Sequence, residues 1–220
     1  RASKTMNAFS VYLFDVDGTL LDSAADIYAA LREVLDGHPV NGFDEAMARR
    51  FIGFHLNELF RRVLPQYSEE QYEELLQKYR QIYPDRGHKL TRVYPGVEEM
   101  LAKLPGRKAT ATTKSTATVR AVLGQFGLLS YFDHPQGTDG FPAKPAPDVI
   151  YAALQALGAR PEQCMLIGDS PADMEAGRRA GVSICAVRYG YGDPTELARF
   201  SPDYWIDDPR DLLRLACGPV

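Results

Sequence analysis

Five short apolar runs constrain the fold most. "SVYLF" (10–14), "KATAT" (108–112), "CMLIG" (164–168), "SICAV" (183–187) and "YWI" (204–206) read as strands. Their hydrophobicity is continuous rather than alternating, which suits strands covered on both faces. Between them, residues 116–127, 146–158, 170–181 and 208–216 carry apolar residues at the three- and four-residue spacing of helices. Gly127, Gly158 and Gly181 stand where such helices end, and Ser170-Pro171 reads as an N-cap and first-turn proline. Strands alternating with helices predict an α/β, Rossmann-like parallel sheet with right-handed crossovers.

Residues 24–86 break that rhythm. Four helical patterns (25–37, 44–53, 56–65 and 68–83) follow one another with no strand between them. Ser68 and Gln71 have the spacing of a capping box. "YPG" at 94–96 turns the chain back toward the sheet. The expectation is a helical-bundle cap, residues 21–89, inserted into a core made of residues 1–20 and 90–220.

The totals narrow the function. A chain of 220 residues holds a core domain and a smaller insert. A net charge of −4 gives no basic footprint for nucleic acid. No apolar run is long enough to predict a membrane span, and the first ten residues lack the apolar stretch of a secretory leader. Cys164 and Cys185 lie in strand-like runs and Cys217 is far from both, which favours reduced thiols over a disulfide. These features point to the cytoplasm. They leave monomer and dimer open.

The polar residues gather at strand ends. Asp15 follows the first run and Asp17 comes two residues later; Thr112 and Thr113 close the second run; Gly168-Asp169-Ser170 closes the third. Ligands of open parallel sheets bind outside the carboxyl ends of the strands. Three acids delivered to one edge repel each other and call for a cation. Carboxylate oxygens, water and a phosphate suit Mg²⁺. Lys144, in the stiff stretch "FPAKPAP", is a second candidate positive charge. "DVDGTLLD" is no EF-hand loop, because Thr19 and Leu20 stand where an acid and a glycine belong. "GYGDPT" (190–195) matches a dinucleotide fingerprint only in part, with Thr195 in place of its third glycine.

Together these residues resemble the haloacid dehalogenase superfamily, in particular its phosphoglycolate phosphatase-like hydrolases with a helical cap. "DVDGTLLDS", "ATTK", "KPAPD" and "GDSPADMEAGRRAG" look like the four signature motifs, in order, across roughly residues 9–216. The resemblance implies a nucleophile at Asp15, a general acid and base at Asp17, and phosphoryl binding by Thr112 and Thr113. It implies charge compensation by Lys144 and a Mg²⁺ site built from Asp15, Asp17 (through its carbonyl), Asp169 and Asp173. Asp15 and Asp17 would face opposite ways on a continuing strand, so a turn eased by Gly18 is needed to aim both at one phosphate.

The implied substrate is a small phosphorylated metabolite, phosphoglycolate being the family's namesake. A sugar-phosphate mutase of the beta-phosphoglucomutase kind, a pyrophosphatase or nucleotidase, and a non-catalytic binding module are the alternatives. Relatives that attack carbon do not need the acid at Asp17. Phosphonate-cleaving relatives use a cap lysine, and within residues 24–88 only Lys78 is available, on a helix that reads as exposed. "RRFIGFHLNELF" (49–60), broken by Gly53, resembles the cap segment that faces the site, which makes Arg50 and His55 candidate substrate contacts.

Overall fold

The computed structural model describes residues 9–217. Its main sheet joins five parallel strands: β1 (Val11–Phe14), β4 (Arg107–Thr110), β5 (Cys164–Gly168), β6 (Ser183–Val187) and β7 (Tyr204–Ile206), in the order β4-β1-β5-β6-β7. A separate two-stranded ribbon pairs β2 (Leu21–Asp22) with β3 (Arg92–Val93), antiparallel. The five predicted strands are present. The ribbon strands, two residues each, are too short to leave a periodic signal.

Side chains leave β1 alternately toward two cores. Tyr12 and Phe14 pack with Met100, Val119 and Leu212, from α5 (Val97–Lys103), α6 (Thr116–Gln125) and α10 (Asp211–Cys217). Val11 and Leu13 pack with Val149, Ala153 and Met174, from α7 (Asp148–Leu157) and α8 (Pro171–Ala180). Burial on both faces explains the continuous hydrophobicity of the strands. Cys164 and Cys185 are buried free thiols in these cores, while the Cys217 side chain lies outside the described residues. Ser170 caps α8 as expected, and Gly158 and Gly181 adopt the left-handed conformation that ends α7 and α8.

The helical insert has a core of its own. α1 (Ala24–Leu35), α2 (Glu45–Phe51), α3 (Leu56–Val63) and α4 (Glu69–Asp85) bury Leu31, Leu59, Phe60, Leu76 and Tyr83 among themselves. The Ser68–Gln71 capping box starts α4 as the sequence predicts. α9 (Pro194–Ala198) returns the chain from β6 toward β7. Asp26 of α1 accepts hydrogen bonds from the Leu90 N–H (2.9 Å) and the Thr91 hydroxyl (2.7 Å), tying the first bundle helix to the segment that leaves the bundle. No helix of the described residues is long and apolar enough to cross a membrane.

Candidate active site

Parallel register brings the strand ends level. Phe14 pairs with Thr110 on one side and Ile167 on the other, so Asp15, Thr112 and Asp169 leave the sheet at one edge. All three are buried. The chain turns immediately after Asp15. At Gly18, φ is +84°, and a Cβ there would stand 2.1 Å from Oδ2 of Asp169. Only glycine lets the "DVDG" turn lie against the Asp169 carboxylate.

Asp15, Asp169 and Asp173 place carboxylate oxygens within 4.8 Å of one another. Lys144 reaches into this cluster, with Nζ 3.0 Å from Asp15 Oδ1 and 2.5 Å from Asp173 Oδ1, and donates to the Ala111 carbonyl at 2.8 Å. Burial opposes the lysine's charge, yet Asp15 and Asp173 hold its pKa above the ordinary lysine value. Burial, followed by the charge of Asp173, pushes Asp15 up to about 7 despite Lys144. Burial and the same neighbouring acids push Asp169 well above the carboxylate range, opposed by hydrogen bonds from the Tyr191 N–H and the Thr19 hydroxyl.

The three acids differ in what remains free. Asp173 Oδ2 accepts from the N–H groups of Asp169 and Ser170 and from the Ser170 hydroxyl, so this carboxylate is engaged at both oxygens. Asp15 Oδ2 is buried with no hydrogen-bond partner. A buried, unpartnered carboxylate oxygen beside a second carboxylate fits a hard divalent cation. The Asp17 carboxylate is not part of this cluster. Its Oδ1 accepts from the Ser23 hydroxyl at 2.6 Å and its Oδ2 lies 2.9 Å from Nζ of Lys114.

Lys114 ends the "ATTK" stretch, and its spacing alone does not mark it as a site residue. Its Nζ also donates to the Tyr83 hydroxyl (3.3 Å) and lies 4.4 Å from the centre of that ring. Lys114 therefore joins the core loop to α4 across the site. Thr112 is fully buried, its hydroxyl accepting from the Lys114 N–H at 3.3 Å and its carbonyl from the Thr138 hydroxyl at 2.8 Å. Thr113, Lys114 and Asp17 line a cavity of about 110 Å³ that extends into the helical bundle.

The segment around Gly53 covers the site, since a Cβ at Gly53 would lie 2.8 Å from Cβ and Oγ of Ser170. His55 lines the bundle cavity and caps α3, its Nδ1 accepting from the Asn57 N–H at 3.3 Å. Burial, and then the charge of Arg80, lower its pKa. Arg50 is exposed and lines an open cleft between α2 and α9 that also meets His55, Lys144, Ser170 and Tyr191. His55 lines both spaces, meeting Arg50 in the cleft and Lys114 in the cavity.

The haloacid dehalogenase-like hydrolase family model matches residues 12–187. The phosphoglycolate phosphatase of Aquifex aeolicus is 32% identical over 209 residues, covering 93% of this chain and 95% of its own. Phosphoglycolate phosphatase 1 of Pseudomonas aeruginosa is 35% identical, covering 93% of this chain and 78% of its own. A solved haloacid dehalogenase-like hydrolase from Streptococcus pneumoniae superposes with a TM-score of 0.85 at 30% identity, over 94% of this chain and 98% of that one. A match across the strand ends, the inserted bundle and the four motifs together places this chain in the haloacid dehalogenase-like hydrolase family.

Proposed function

We propose that this chain is a Mg²⁺-dependent phosphatase that hydrolyses a small phosphomonoester through an aspartyl-phosphate at Asp15. The observation that carries the reading is the unpartnered Oδ2 of Asp15, buried beside Lys144 and Asp169. Asp15 and Asp169 would hold the ion with the Asp17 carbonyl, and Asp173 would orient its water. When bound, Mg²⁺ supplies positive charge against the phosphoryl oxygens.

In the first half-reaction a carboxylate oxygen of Asp15 attacks phosphorus, the bond from phosphorus to the ester oxygen breaks, and Asp17 gives that oxygen its proton. In the second, Asp17 takes a proton from water, the water oxygen bonds to phosphorus, and the bond from phosphorus to Asp15 breaks to release phosphate. Lys144 offsets the charge of Asp15 and of the phosphoryl group, while the Thr112 hydroxyl and Thr113 N–H hold phosphoryl oxygens. Gly18 lets the loop approach, and His55 meets the part of the substrate beyond the phosphate. Residues 21–89 act as the cap, and the names of the relatives make phosphoglycolate the first ester to assay. A cytoplasmic location belongs to the same proposal.

Phosphate release should vanish in EDTA and return with Mg²⁺, and Asp15→Asn should lose both turnover and phosphoenzyme. Full activity in chelator would remove the metal from this reading. Strict dependence on a sugar bisphosphate activator, with no net phosphate release, would favour the mutase.

A further inference from the structure

The cavity in the helical bundle is larger and more apolar than a glycolate leaving group needs. Ile27, Leu31, Ile52, Leu76 and Tyr79 form much of its wall. Its volume, about 110 Å³, is of the same order as the roughly 150 Å³ apolar cavity known to take up benzene. Glycolate offers one methylene and a carboxylate. That carboxylate would need a cation, and the two cations of the wall, Lys114 and Arg80, are each already paired with an acid. Lys114 is held by Asp17 at 2.9 Å, burial disfavours the charged form of His55, and Arg80 is exposed and 3.7 Å from Glu73.

The position of the cavity says what belongs in it. Asp17 is one of the residues that line it. If Asp17 protonates the leaving oxygen, the rest of the leaving group must continue from that oxygen into the space beyond. This space lies between the bundle helices and the loop carrying Thr113, Lys114 and Ser115.

We infer that this site takes the phosphate monoester of an apolar alcohol, with the alcohol's hydrocarbon body seated in the bundle cavity. This rests on the phosphatase reading and names its substrate class. Burial of hydrocarbon raises kcat/KM through binding energy present in both ground and transition states. The gain is about fourfold per buried methylene until the cavity is full.

The test is a series of alkyl esters whose alcohols are alike in acidity, so that chemistry stays constant while size grows. Phosphate release is measured for methyl, propyl, pentyl and benzyl phosphate and for phosphoglycolate, with Mg²⁺ present. The expected result is a climb of about fourfold per methylene, a maximum, and a fall, with the best apolar ester ahead of phosphoglycolate. Ala48→Leu adds bulk at the cavity wall and should move the maximum to a shorter alcohol; Leu76→Ala should move it to a longer one. A flat series, or phosphoglycolate ahead of every apolar ester, overturns the inference and leaves the phosphatase reading standing. No release from any ester, including p-nitrophenyl phosphate, overturns both. The wild-type series decides the matter even where a variant fails to fold.

Discussion

Tyr191 donates its main-chain N–H to Oδ2 of Asp169 at 2.8 Å. Its hydroxyl accepts from the N–H groups of Ser23 (2.8 Å) and Ala24 (3.0 Å), at the head of α1, and donates to Asp22 at 2.7 Å. Arg49 of α2 lies 5.1 Å from the centre of its ring. One residue therefore touches the acidic cluster, the ribbon and the bundle. A swing of α1 away from the sheet must break the hydroxyl bonds or pull on the loop that steadies Asp169.

That arrangement predicts the effect of Tyr191→Phe. Two helix-terminal N–H groups lose their acceptor and Asp22 loses a donor. Leaving such groups unsatisfied costs about 1–3 kcal/mol, to be read from urea unfolding. The bundle should also open more often, giving faster hydrogen exchange at the start of α1 than in β5. Unchanged exchange at α1 would show that the hydroxyl holds nothing in place.

The Asp17–Lys114 pair is nearly buried, with side-chain exposures of 9% and 10%. Removing one member of a buried pair strands the other and costs about 3–5 kcal/mol. Lys114→Met should lower stability by about that much. The double variant with Asp17→Asn should recover part of the loss, because no charge is then stranded. Strictly additive losses in the four-protein cycle would show that the two side chains are neighbours without coupling.

Asp17→Asn should lower turnover by about two to four powers of ten, the usual worth of general acid–base catalysis. The deficit should shrink for p-nitrophenyl phosphate, whose leaving group needs no proton, and stay large for alkyl esters. Equal losses on both would assign Asp17 a structural task.

Without a divalent ion the acidic cluster should make stability depend on pH. Asp15 is raised to about 7 and Asp169 is raised as well, burial being the first cause of each, whereas in the unfolded chain both titrate near 4. The folded protein then holds more protons than the unfolded chain between about pH 4 and 7. Stability falls as pH rises through that window. In EDTA the urea midpoint should be higher at pH 5 than at pH 7.5, and Mg²⁺ should raise it most at the alkaline end. A midpoint that ignores pH in chelator would contradict the uncompensated cluster.

The sheet and the four bundle helices were legible because burial on both faces and helical spacing each leave a local pattern. The edge residues Asp15, Thr112 and Asp169 were legible too, since topology alone sends strand ends to one side. Lys114 was missed because its function depends on Tyr83 and Asp17, two residues distant in sequence that meet only when bundle and sheet pack. "GYGDPT" matches a nucleotide loop only in part. In the fold its tyrosine wraps Asp169, a task no spacing rule encodes. Arg50 and His55 look alike in the sequence; in the fold both line the open cleft beside Ser170, and His55 also reaches the bundle cavity, a difference that spacing alone does not encode.

The ribbon sets Leu21 against Val93 and Asp22 against Arg92. Seen from the sheet, everything between those pairs is one hairpin connection, however long it is. Loop-closure entropy grows only slowly with length, and the insert brings its own apolar core. The two halves of the molecule therefore answer to different pressures. If the bundle wall selects the leaving group as proposed, changes along it would alter which alcohol fits, while the register that aligns Asp15 with Asp169 stays untouched. On that proposal such a chain would change its diet one bundle residue at a time and keep the same chemistry throughout.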